Sequence, residues 1–195
     1  MKMFSLSWVL VFSVAGCQDP PGEGTLLVGM VIADAVGTPL EGASSIRIQT
    51  ERVDVVHRTD ADDPTTERVL TVRDEPAEIE LVGLQEGIPR IIAQLSVPEG
   101  FVYQVRFITE ELTMTRGGVE VPIFLPSGER TGLKLVPPED DPAPWPVLAN
   151  EITAIRAELD PSNRIIENLG RGVIEKPPLT TRLVDEVDVS AFVPN

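Results

Sequence analysis

The sequence predicts an all-β protein, an antiparallel β-sandwich behind a secretory leader. Three observations carry that expectation. Apolar residues recur at every second position through most of the 195-residue chain. The alternating runs are bounded by Gly, Pro and Asp at the spacing of a sandwich or barrel. The first twenty residues follow a different plan, a positive start, an apolar run and then small residues.

That leader comes first. Lys2 supplies the charge, and residues 4–15 (FSLSWVLVFSVA) hold 9 apolar residues of 12. A membrane span needs about 20, so the run reads as an export signal rather than an anchor. It ends in Val14-Ala15-Gly16-Cys17, which resembles the lipobox of bacterial lipoproteins: an aliphatic residue, two small ones, then the cysteine. The resemblance implies cleavage before Cys17, leaving residues 1–16 as signal peptide, and a diacylglycerol on the Cys17 thiol. Each buried CH₂ contributes ~0.8 kcal/mol, so two or three acyl chains hold firmly where one does not. Gln18 after the cysteine favours the outer membrane by analogy with enterobacterial sorting. Residues 17–23 form the lipidated cysteine and a polar Pro/Gly tether.

The domain is expected over 24–184. Residues 25–34 place Leu26, Val28, Met30 and Ile32 on one face. Residues 45–57 alternate through Ile46 and Ile48 and resume at Val53 and Val55. That change of parity across 50–52 predicts a bulge or a strand break. Further strands are expected over 67–72, 77–84, 90–97, 101–114, 119–125 and 132–136, with a tight hairpin at Thr115-Arg116-Gly117-Gly118. Residues 150–159 fit a helix through Ile152, Ile155 and Leu159, or a strand through Thr153, Ile155, Ala157 and Leu159. Residues 174–184 contain Pro177 and Pro178, so a strand there should lie at an edge or be bulged. Residues 137–146 (PPEDDPAPWP) read as an extended connection, and 185–195 as a last strand or tail.

Several of these segments together resemble one family. They are Gly24-Thr25-Leu26 with Asp34-Ala35, Val53-Asp54-Val55 near His57, Ile79-Glu80-Leu81 with Leu84, residues 101–106 (FVYQVR), and Leu159-Asp160 with Ile165-Ile166. The most distinctive is 125–135 (LPSGERTGLKL), similar to a "P-S-G-x-x-T-G-L-K-L" run. On them the chain resembles the bacterial and archaeal lipoproteins of "domain of unknown function 4382". The resemblance implies a lipid-anchored β-sandwich and favours a strand at 153–159; it implies no activity. Residues 29–43 (GMVIADAVGTPLEGA) are also similar to the opening of carboxypeptidase-regulatory-like domains, which points to a transthyretin- or immunoglobulin-like sandwich.

Charge excludes several partners. With 31 acidic and 16 basic residues the formal net charge is −15, a field that repels nucleic acid and anionic lipid. One His and one Cys exclude Cys/His zinc sites and disulfide frameworks. No glycine-rich phosphate loop opens a helix, so no nucleotide is expected. His57 reads as an ordinary strand-end residue, and Ser127 does not lie in G-x-S-x-G. Glu110 and Glu111 are adjacent in a strand pattern, so they point to opposite faces and make no dyad. The weak calcium candidates are Asp60, Asp62 and Asp63, in a loop without the D-x-[DN]-x-[DN]-G pattern; a solvated loop is the expected reading. Tyr103, Val105 and Phe107 share a parity and are expected in the core. Trp145, between two prolines, is the one candidate exposed aromatic for binding, the other reading being a plug over one sandwich end.

The expectation is therefore a lipid-anchored envelope lipoprotein, not an enzyme, with no cofactor beyond the lipid. It touches the membrane through its anchor and binds or scaffolds an envelope protein or glycan. The longest or least regular connections, 59–66, 139–147 and 161–163, are the expected recognition loops. The alternative is an envelope hydrolase with a carboxylate-based site that sequence does not reveal.

Overall fold

The computed structural model describes residues 22–32, 38, 40–82, 90–124, 132–159, 165–168, 172–175 and 179–183, apart from the side chains of 32, 81–82 and all residues after 159. The strands are β1 (Glu23–Ile32), β2 (Ala43–Arg58), β3 (Arg68–Arg73), β4 (Ala77–Val82), β5 (Arg90–Pro98), β6 (Gly100–Arg116), β7 (Val119–Phe124), β8 (Leu133–Val136), β9 (Trp145–Val147), β10 (Ile152–Leu159), β11 (Ile165–Asn168), β12 (Gly172–Glu175) and β13 (Leu179–Leu183). A single 3-10 turn, Pro64–Thr66, interrupts them, and no α-helix occurs among the described residues.

Strands β2 and β6, of 16 and 17 residues, are about three times the usual length. They pair antiparallel from Ala43↔Arg116 to Arg58↔Phe101. One half of this ribbon carries β4 beside β2 and β7 beside β6, with β12 and β11 beyond. The other half carries β3 beside β2 and β8 and β9 beside β6. From β8 the sheet continues through β13, β10 and β1 to β5 and packs back over the ribbon. Most pairings are antiparallel; β1–β10, β7–β12 and β8–β13 are parallel.

Aliphatic alternation sets the inner faces. Leu26, Val28 and Met30 of β1 join Val53 and Val55 of β2, Val105 and Phe107 of β6, and Ile155 and Ala157 of β10 in one core cluster. Residues 152–159 are a strand, with Thr153, Ile155, Ala157 and Leu159 on one face, as the family resemblance implied. The parity change across 50–52 is a bulge: Thr50 faces Thr109 and Arg52 faces Ile108, which leaves Glu51 extra. Buried positions accordingly switch from Ile46, Ile48 and Thr50 to Val53, Val55 and His57. Gly117 and Gly118, at φ 59° and 77°, close the expected hairpin, since a two-residue turn of this hand needs both central φ values positive.

Three expectations change. Tyr103 does not share the buried face of Val105 and Phe107: Val56 pairs with Gln104 and His57 with Val102, so Tyr103 is itself the extra residue of a bulge, half-buried. Residues 174–184 are not one edge strand. β12 ends at Glu175 and β13 begins at Leu179; the two prolines fall between them, and β13 is interior, between β8 and β10. The connection 137–146 is not extended throughout: it turns at Glu139–Asp140 and ends at Pro144, because Trp145 opens β9.

Gly132 explains part of the family's most distinctive segment. It sits at φ 61°, and a Cβ there would lie 1.9 Å from the Phe107 carbonyl oxygen. Gly42, at φ 75°, has open space around it. Gly42→Ala should cost only the left-handed backbone penalty of roughly 1 kcal/mol. Gly132→Ala adds a clash with main chain that cannot rotate away, and should cost at least ~3 kcal/mol. Paired urea melts check this; equal losses would mean that β8 does not approach β6 so closely.

Candidate functional site

Strand directions decide which loops meet. β1 leaves Glu23 at one end, β5 and β2 arrive there at Pro98 and Arg58, and β6 departs from Gly100. β8 also runs toward that end, and β9 pairs with residues 100–102. Loops 59–66 and 137–144 therefore share the end at which the domain begins. The expected third loop does not join them: β10 reaches Leu159 at the opposite end, and 161–163 lie outside the described residues, as do residues 1–16, Cys17, Ser127 and 185–195.

The first loop is held tightly. The Asp62 N–H donates to Asp60 Oδ1 (2.9 Å), and Thr65 donates both its N–H (2.9 Å) and its hydroxyl (2.7 Å) to Asp63 Oδ1. Arg58 anchors the base, pairing with Glu67 Oε2 at 2.7 Å while its guanidinium carbon lies 4.2 Å from the Tyr103 ring centroid. The Tyr103 hydroxyl donates to the Ala61 carbonyl (3.0 Å). Oδ1 of Asp60 and of Asp63 thus serves the loop's own turn. No group of three His, Cys, Asp or Glu among the described residues has the geometry of a metal site. The Thr65 hydroxyl, then its N–H, hold the Asp63 carboxyl below the ordinary carboxylate range. The second loop exposes Glu139, Asp140 and Asp141 around a turn closed by Asp141 N–H to the Pro138 carbonyl (3.1 Å).

His57 and Trp145 lie beneath the end that these loops share. His57 is 3% exposed, and its Nε2 is 3.1 Å from the Pro98 carbonyl oxygen. That contact makes Nε2 the donor and fixes the tautomer. A Cβ on Gly100 would come within 2.6 Å of that nitrogen, so the glycine makes room for the ring. The imidazole is a structural peg under the 98–100 turn. Trp145 is 1% exposed, so of the two readings of this residue the plug over one sandwich end holds and the exposed binding aromatic does not. Pairing of β9 with β6 turns the indole inward, where it plugs the core beneath the same end. Glu110 and Glu111 are both exposed.

Sequence reasoning missed the clamp made by Arg58, Glu67 and Tyr103. Arg58 and Glu67 flank the acidic loop with opposite charge, which was a readable signal. The Tyr103 bulge had none. Asp54, in the Val53-Asp54-Val55 motif, is also buried; it accepts from Arg52 Nε (3.3 Å) and from the Thr71 hydroxyl (2.8 Å). That tie from β2 to β3 gives the motif a structural reason.

The pattern described as "Domain of unknown function (DUF4382)" matches residues 23–177. The chain belongs to this family. Its match begins with β1 and takes in the bulged ribbon, Asp54 and Gly132. No curated protein matches the chain. A solved Bacteroides ovatus structure, described as a "putative cell adhesion protein", matches at 6% identity over 84% of this chain and 44% of its own, with TM-score 0.24. A likeness that low carries no argument for the DUF4382 domain.

Two outcomes follow. Thr65→Ala should raise the Asp63 pKa toward the ordinary value near ~3.9, read by NMR titration of its carboxyl carbon. In the folded wild type this pKa is lowered, so Asp63 contributes stability that is complete above the ordinary value and is lost as pH falls through the folded one. An unchanged titration would show the Thr65 hydroxyl bond absent in solution. Trp145→Ala should cost ~3–5 kcal/mol, as for other buried aromatics; a neutral melt would put the ring back on the surface.

Proposed function

We propose that this DUF4382 protein is a lipid-anchored, non-catalytic module of the bacterial cell envelope, held at Cys17 in the outer membrane. It presents its acidic end to a basic protein or a cationic glycan. The observation that carries the reading is how soon the domain follows the lipobox. β1 begins at Glu23, six residues after Cys17, so the anchor leads almost directly into the fold. Support for a non-catalytic role comes from the one imidazole, which is buried and engaged with Pro98 behind Gly100. Support for a basic partner comes from the acids gathered on loops 59–66 and 137–144, whose field draws cations.

Cys17→Ala should abolish metabolic palmitate labelling and membrane retention together, while leaving the melt unchanged. Label that survives the substitution would end the anchor reading. Capture of a partner by crosslinking in the native envelope should weaken as salt shortens the Debye length from roughly 10 Å at 0.1 M. Substrate turnover by the purified protein, lost in His57→Ala, would overturn the non-catalytic half.

A further inference from the structure

We infer that the corner of the sandwich formed by Leu148 and Ile152 rests on the surface of neutral lipid beside the anchor and sets the domain's orientation on the membrane. The inference rests on the lipid anchor proposed at Cys17 and goes beyond it, because an anchor alone leaves the domain free to turn.

The chain's exit point is fixed. The Glu99 N–H donates to the Gly22 carbonyl (2.7 Å), the Asn150 N–H to the Glu23 carbonyl (2.8 Å), and the Thr25 N–H to the Glu151 carbonyl (2.8 Å). These bonds lock the first described residues between the 98–100 turn and the 148–151 turn. The second turn is closed by Glu151 N–H to the Leu148 carbonyl (3.2 Å), with Asn150 at φ 62°, a conformation asparagine tolerates. Gly22 follows Cys17 by five residue steps, a reach of at most about 18 Å. Whatever lies at this corner is therefore kept close to the bilayer.

Two exposed aliphatic side chains lie there. Leu148 is 48% and Ile152 65% exposed. Ile152 faces Thr25 in the β1–β10 register, and the Leu148 carbonyl packs on Gly24 so closely that a Cβ would meet it at 2.3 Å. The other large exposed apolar residues among those described, Val69, Val119 and Phe124, lie on β3 and β7. Only this pair sits at the tether. Two aliphatic side chains are too little to bind a membrane from solution. Tethering changes the problem, because the contact becomes intramolecular and a weak preference suffices to choose an orientation.

Charge selects the lipid. Glu23, Glu99 and Glu151 are exposed around the corner, and Asp60, Asp62, Asp63, Glu139, Asp140 and Asp141 stand on the loops at the same end. An anionic leaflet repels all of them; a zwitterionic one does not. The apolar corner settles on neutral headgroups, and the acidic loops remain in water.

The test uses the chain's single cysteine. In the lipidated protein, purified from membranes and reconstituted, Cys17 is consumed, so Ile152→Cys or Leu148→Cys offers the only free thiol for an environment-sensitive dye. In phosphatidylcholine–phosphatidylethanolamine vesicles both sites should shift to the blue and be quenched by nitroxide lipid. Val119→Cys, at the start of β7 beside the far end of β6 and similarly exposed, should keep its aqueous emission. Added phosphatidylglycerol should reduce the shift, and salt should restore it. Aqueous emission at both corner sites in anchored protein overturns the orientation and leaves the anchor standing. Equal shifts at all three sites overturn it too. If the unsubstituted protein takes up dye, Cys17 is free, and the anchor and this inference fall together.

Discussion

Everything in this fold hangs on the antiparallel pairing of two strands that are too long for one flat sheet. β2 and β6 stay hydrogen-bonded over almost their entire lengths, and every other sheet segment grows from their edges. A flat ribbon of that length could not bury one face throughout, because accumulated twist carries its far half away from the first core. The bulges at Glu51, Glu110 and Tyr103 solve this by shifting register locally, which bends the strands and resets which residues face inward. One half of the ribbon then packs with β4 and β7, the other with β3, β8 and β9, and both halves share a continuous core. The 98–100 turn, the peg at His57 and the Trp145 plug all lie where the second half ends.

How much of this was legible depended on whether the aliphatic pattern was redundant. In β2 each half alternates strongly enough that the slip at Glu51 appears as a change of parity, Ile46 and Ile48 against Val53 and Val55. In β6 the sequence FVYQVRF keeps Phe101, Tyr103, Val105 and Phe107 in one parity, yet the bulge puts Val102 and Val105 inward and leaves Tyr103 half-buried. Nothing local marks that slip; the partner strand decides it. Trp145 was half legible. Flanking prolines lack a donor and mimic a linker, but a three-residue pairing at Gly100, Phe101 and Val102 needs little from them, and the buried area of an indole outweighs the poor strand chemistry. The acidic loops were readable as loops. That two of them share an end followed only from strand direction, which composition does not encode.

The charge of the chain also sorts by position. Several cations are committed locally on the strands: Arg47 to Glu120 (2.8 Å) and Glu78 (3.8 Å), Arg52 to Asp54, Arg58 to Glu67. The pairs of Arg47, with partners more than half exposed, stabilise little. Asp54 differs, since its side chain is 9% exposed and losing Arg52 or Thr71 would leave a nearly buried carboxylate short of partners. Arg73 is shaped by the opposite effect: burial pushes its guanidinium below its ordinary value, and it donates to the Thr50 hydroxyl (3.0 Å). With the cations drawn into such pairs, the surplus acids dominate the loops, and most visibly the end where the domain begins.

That end combines two features that pull in different directions. The anchor proposed at Cys17 would bring it toward the bilayer, while its carboxylates are repelled by anionic headgroups over a Debye length. A domain tethered there would resolve the conflict by tilting, with Leu148 and Ile152 toward neutral lipid and the acidic loops raised to the side. Those loops would then be open along the membrane plane rather than perpendicular to it. On the proposed reading a partner reaching them would itself be close to the membrane, which would confine its search to a thin layer and raise its effective concentration. The ties across loop 59–66, from Arg58 and Tyr103 below and from Asp60 and Asp63 within, matter in that setting. A loop already ordered loses little entropy on binding, so recognition through a few carboxylates can be fast and reversible, tuned by salt rather than by buried area.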